Sequence, residues 1–167
     1  NKNRAINVRG AAIVDIGTST LTNNGFDPIG TGGNDGFGII ARMGANVTVH
    51  NNFITNPAST SLPVTALLVD GAVMTATNNK LDNNSNIANG KLAVSGGTSL
   101  TANCNWWGSA CSADFASLIG GPVTYGTWLV NGADANGAVA GFQTTAACEN
   151  TNPFVTLAGN QSVCIGS

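Results

Sequence analysis

The side chains that could do chemistry in this sequence are few and scattered. Six Lys and Arg face eight Asp and Glu, giving a net charge of −2, and there is one His. Nucleophilic or acid–base work needs a base beside a nucleophile or paired carboxylates. His50 is followed by Asn51, with no nucleophile or orienting acid beside it, and reads as an outward residue between Val49 and a corner. No Gly-x-Ser-x-Gly elbow and no phosphate-cradling loop is present. Asp27, Asn34 and Asp35 lie in a Gly/Pro-rich stretch but lack the dense carboxylate spacing of a calcium loop. We therefore expect no catalytic residue, no metal site and no cofactor.

Cysteine chemistry is the exception. Four cysteines, Cys104, Cys111, Cys148 and Cys164, form no CxxC pair and lie far from His50, which argues against zinc. An even count with little Lys and abundant Asn and Thr points to disulfides and an oxidising, extracellular setting. The spacings favour Cys104–Cys111 and Cys148–Cys164 among the three formal connectivities. Charged residues are only 8% of the chain, without the clustered Lys and Arg that phosphates require, so nucleic acid is excluded as a partner. The apolar runs are far shorter than the ~18 residues of a membrane span, so no membrane insertion is expected. Asn-x-Ser/Thr at Asn46, Asn83 and Asn160 is unremarkable in so Asn-rich a chain.

What would position these residues is an internal repeat. Taking Ala11, Gly44, Gly71 and Gly97 as anchors, Val14, Val47, Met74 and Leu100 stand three positions on. Asp15, Thr48, Thr75 and Thr101 form the next column, and Ile16, Val49, Ala76 and Ala102 the one after. Further on stand Thr18, Asn51, Asn78 and Cys104, then Ser19, Asn52, Asn79 and Asn105. Upstream, Ile6, Ile39, Ala66 and Leu92 align, as do Arg9, Arg42, Val69 and Ser95. The anchors are 33, 27 and 26 residues apart, with Gly/Pro-rich insertions at 25–36 and 57–63.

Apolar residues alternate within each block, the period of short strands. One such unit cannot bury its own apolar face, whereas stacked parallel units can. The predicted fold is all-β, a β-solenoid of about four to six coils, with the anchors and the Asn columns at its corners. Asn51, Asn52, Asn78, Asn79 and Asn105 are predicted to form a structural corner ladder, through amide hydrogen bonds and tolerance of left-handed backbone. With Val69 and Ser95 following Arg9 and Arg42, no basic or acidic column persists along the stack, and the charges read as solvated surface.

Residues 1–109 are predicted to hold the coils. Trp106, Trp107 and Gly108, at the end of the coils, close the open core, and residues 110–130 add a cap helix and strand: Ser112 caps a helix to Ile119, and a strand runs over 122–130. Residues 131–167 form a connector and a strand-like tail.

The block Ala45–Ile54 and the block Leu100–Gly108, ending in Asn105-Trp106-Trp107-Gly108, resemble right-handed parallel β-helix (pectin-lyase-like) repeats of secreted bacterial and archaeal surface proteins. Val123-Thr124-Tyr125-Gly126-Thr127-Trp128-Leu129 resembles the strand that follows such repeats. The tail Leu157–Cys164 looks like the opening of an immunoglobulin-like module. The resemblance implies a right-handed coil and a secreted or surface-attached protein, not an enzyme. The function expected is structural: a subunit of a surface layer, adhesin stalk or filament that self-associates head to tail through sheet edges or its tail strand. The alternative is binding or cleavage of a surface polysaccharide, with Trp106, Tyr125 or Trp128 as a sugar platform. A second alternative is ice binding through the Thr48, Thr75 and Thr101 column.

Overall fold

A computed structural model describes residues 4–22, 36–55, 64–82, 91–97, 99–149, 154–157 and 161–164. Asp27, Asn34 and Asp35, the 57–63 insertion, and Asn83 and Asn160 lie outside these residues.

The protein is mostly β, built from parallel sheets. The first repeat supplies β1 (Arg4–Arg9), β2 (Ile13–Gly17) and β3 (Thr20–Thr22). The second supplies β4 (Gly36–Arg42), β5 (Asn46–His50) and β6 (Phe53–Thr55). The third gives β7 (Val64–Asp70) and β8 (Val73–Thr77), and the fourth β9 (Lys91–Ser95) and β10 (Ser99–Thr101). Helix α1 (Ser112–Phe115) and a 3-10 turn lead into β11 (Ile119–Gly120) and β12 (Val123–Thr124).

Strands with the same place in successive repeats pair side by side. One five-stranded sheet runs β1-β4-β7-β9-β11 and the other β2-β5-β8-β10-β12, every pair parallel. A third line begins with β3 and β6 and continues through bridges from Phe53 to Lys80 and from Lys80 to Trp106. The alternation in β5 explains the layering: Val47 and Val49 are buried while Asn46 and Thr48 are exposed. In register, Val14, Val47, Met74, Leu100 and Val123 lie one beside the next, on the core side of the second sheet.

Upstream of the anchors the columns slip by one residue: Ile39 opposes Leu67, not Ala66, and Arg42 opposes Asp70, not Val69. The cause is a corner of three residues (43–45) in the second repeat against two (71–72) in the third. The strand predicted over 122–130 is two strands, β12 and β13 (Trp128–Leu129). The chain turns between them at the same corner as the earlier repeats, where Cys104 N–H donates to Thr127 O at 2.9 Å. Residues 119–124 therefore add a fifth layer rather than only covering the fourth.

The helix is shorter than predicted, and its N-cap is Cys111 without a side-chain cap. Ser109 takes the local role instead, donating through Oγ to Asp114 and accepting from the Cys111 N–H. Behind this turn Trp107 stacks on Phe115 at 5.7 Å between ring centres, and Phe115 meets Trp128 edge-on at 5.8 Å. Together these rings fill the end of the core.

Beyond β13, residues 130–147 leave the sheets and return at β14 (Cys148–Glu149), antiparallel to β13. Finally β15 (Phe154–Leu157) and β16 (Gln161–Cys164) form an antiparallel pair. No helix among the described residues is long and apolar enough to cross a membrane.

Candidate functional site: corner ladder, strap and outer face

The most organised polar group in the protein is a corner. Asn52, Asn79 and Asn105 are fully buried. Asn52 Nδ2 donates to Asn79 Oδ1 and Asn79 Nδ2 to Asn105 Oδ1, each at 2.9 Å. The same oxygens accept from the backbone one repeat earlier: Asn52 N–H donates to Asn79 Oδ1 at 3.0 Å and Asn79 N–H to Asn105 Oδ1 at 2.9 Å. Ser19 N–H meets Asn52 Oδ1 in the same way. The amide hydrogens also reach Ile16 O, Val49 O and Ala76 O. These amides are buried and spent on one another and on the backbone, and their chemistry is structural.

Asn51 and Asn78 do something different. Both hold left-handed backbone, φ 54°, as do Thr18 at 48° and Cys104 at 55° in the same column. Asn visits this region at low cost; a β-branched Thr does not. Against this column lies the segment 130–147, a strap running back along the stack. Phe142 N–H donates to Asn51 O at 2.8 Å, and Asn51 Nδ2 donates to Phe142 O at 3.1 Å. The Phe142 ring is buried, edge-on to Phe53 at 5.5 Å. Lys80 Nζ donates to Gly132 O at 2.8 Å and lies 3.5 Å from Asp82. Trp106 Nε1 donates to Asp82 Oδ2 at 3.3 Å. A Cβ on Gly132 would strike the Trp106 ring, so only glycine lets the strap lie this close. Of the predicted cap residues, Trp107 closes the core, Trp106 sits at the strap, and Gly108 turns the chain at φ 100°.

The disulfide pairing is also corrected. Cys104 bonds Cys148, 44 residues away. Cys111 is disulfide-bonded as well. Neither Cys104–Cys111 nor Cys148–Cys164 exists as predicted, and the side chain of Cys164 lies outside the described residues. Proximity in sequence misled because the strap returns its far end, not its near end, to the corner.

On the outer face of the second sheet, Asp15, Thr48, Thr75, Thr101 and Thr124 stand in one register column. His50 turns outward there and its Nε2 lies 3.1 Å from Asp15 Oδ1. Its Nδ1 is 3.1 Å from Asn51 Oδ1. Because Asn51 Nδ2 already donates to Phe142 O, the atom facing His50 is the amide oxygen. Both ring nitrogens are engaged, and the ring lies across Gly17, where a Cβ would strike it. The Asp15–His50 contact is diagonal between neighbouring strands, and a column-by-column reading of the sequence does not find it.

Arg9, Arg42 and Asp70 share the other charged column, with Arg42 Nε 3.6 Å from Asp70 Oδ2. Among the described residues no group of three or more His, Cys, Asp or Glu is placed to hold a metal ion. Trp128 is 6% exposed, while Tyr125 is half-buried and packs at a steep angle to Trp107 and Phe115. Compared with family models, curated proteins and solved structures, the chain matches none.

Proposed function

We propose that this chain is a right-handed parallel β-helix of five coils serving a structural, non-enzymatic role outside the cell, in a surface layer, stalk or filament. The observation that carries the reading is the unbroken register of the inner column from Val14 to Val123, continued at the corner by the buried amide ladder. Such an arrangement resists bending and exposes few charges, as a rod-like spacer requires. The disulfide fits an oxidising compartment.

The two ends differ. At one end aromatic rings and short strands finish the core. At the other, β1, β2 and β3 each pair with one neighbour among the described residues. Such edges accept another strand, and we assign self-association to them, head to tail or through a tail strand. Negative-stain microscopy of the purified chain tests this: rods that lengthen with concentration are expected, and particles of one coil-stack length at every concentration would contradict it.

A second reading, ordering of water or ice on the outer face of the second sheet, is favoured by Thr124, which extends the Thr column to four. Thermal hysteresis in the intact chain, lost in Thr75→Lys, supports it; no hysteresis removes it.

A further inference from the structure

The corner opposite the strap, between the first and second sheets, is apolar and open. Among the described residues four large hydrophobics are exposed, and three of them line this corner: Ile13 at 85%, Met43 at 64% and Val73 at 45%. They belong to three successive repeats. Of the three, Val73 lines a shallow groove of about 260 Å³ whose floor is Ala45 and Ala72. In register Asn46 stands between Ile13 and Val73, and Met43 lies three residues before it at the corner; exposed apolar side chains gathered in one patch mark an interaction surface more often than singles do.

Met43 is the least expected of them. It holds φ 57°, left-handed backbone, at the register position where the first repeat has Gly10 at φ 70°. A glycine would fit there without strain, yet the chain places a long apolar side chain on the surface. Nothing in the folding of one chain calls for that choice.

Charge indicates the partner. Flanking the apolar patch, Arg9, Arg42 and Asp70 follow one another along the stack, positive at one end and negative at the other. Arg42 in the middle is already paired with Asp70. Turned about a two-fold axis through Met43, this surface complements itself. Ile13 meets the partner's Val73, Met43 meets its own copy, and Arg9 meets the partner's Asp70, whose carboxylate is largely exposed.

We propose that this corner is a self-association surface occupied by a second copy of the chain, packed side by side and antiparallel about a two-fold axis. The proposal rests on the self-association part of the reading above, but not on its end contacts. Corner variants leave β1–β3 pairing untouched, so the two fail separately.

Sedimentation equilibrium of the full chain tests it, with circular dichroism and thermal melting as controls for folding. A reversible dimer is expected, weakened at least tenfold in Met43→Lys, Val73→Lys and Arg9→Glu. Met43→Gly separates surface from fold, since it is expected to weaken the dimer while leaving the melting temperature unchanged or higher. Mild oxidation of Met43→Cys is expected to link two chains at the axis, whereas Asn7→Cys, on the outer face of the first sheet, does not. A chain that stays monomeric at all concentrations would overturn the proposal. So would dimers or longer rods as stable in Met43→Lys and Val73→Lys as in the unmodified chain; rods would leave only the end contacts standing.

Discussion

Asn79 shows how one side chain can join three repeats. Its amide donates to Val49 O, Thr77 O and Asn105 Oδ1 and accepts from both nitrogens of Asn52. Removing it strands partners in a place water does not reach, at about 1–3 kcal/mol for each unsatisfied buried group. Asn79→Ala is expected to lose at least about 3 kcal/mol in urea unfolding; a loss below about 1 kcal/mol would deny the ladder its role. Thr18 offers the opposite test. Holding a β-branched residue at φ 48° costs about 1–2 kcal/mol. Thr18→Asn, which copies Asn51 and Asn78, is expected to gain roughly 1 kcal/mol by the same measurement. Much of this was legible in the sequence, because equal residues at equal offsets must share a chemical environment when repeats stack. The Asp15–His50 pair was not, since it crosses columns diagonally. The Arg42–Asp70 pairing was hidden by one extra corner residue, which moves the charges by one register step.

At the scale of elements, the strap is the least predictable part. Residues 131–147 carry neither strand nor helix periodicity, so the sequence reads only as a connector. Their order comes from contacts with several repeats at once: Gly132 with Lys80, and Phe142 with Asn51 and Phe53. Asp134 Oδ1 also accepts from Gln143 N–H at 2.8 Å, joining the outgoing and returning halves. The Cys104–Cys148 bond closes a 44-residue loop over this segment. In the chain-entropy account a loop of this length contributes about 4 kcal/mol. The double variant Cys104→Ser/Cys148→Ser is expected to lose about 2–5 kcal/mol, with faster hydrogen exchange over 130–147. Phe142→Ala is expected to loosen the same segment and cost about 3 kcal/mol, the usual scale for emptying a buried Phe site. Exchange rates unchanged in both variants would mean that the strap is held by neither.

In the molecule as a whole, no repeat is stable alone. Each buries its alternating face only against the next, so stability should depend on neighbours and weaken toward the less covered end. Ile6, Val14 and Leu21 in the first repeat are only partly buried, whereas Val47, Met74 and Leu100 are fully buried. Hydrogen exchange is expected to be fastest in β1–β3 and slowest in β5 and β8; a uniform profile would argue for one indivisible core. The all-β character and the parallel stacking were legible from period-two blocks that no single unit could bury. The path of the last third was not, because it depends on contacts between segments far apart in sequence.

The repeats lie in register, one beside the next. Methyl-labelled NMR of the unmodified 16.7 kDa chain reads this most directly. Neighbouring strands stand about 4.8 Å apart. Direct methyl contacts are therefore expected from Val14 to Val47, from Val47 to Met74 and from Met74 to Leu100 inside, and along Thr48, Thr75, Thr101 and Thr124 outside. Methyl contacts confined to residues near each other in sequence, with these chains missing, would contradict the account.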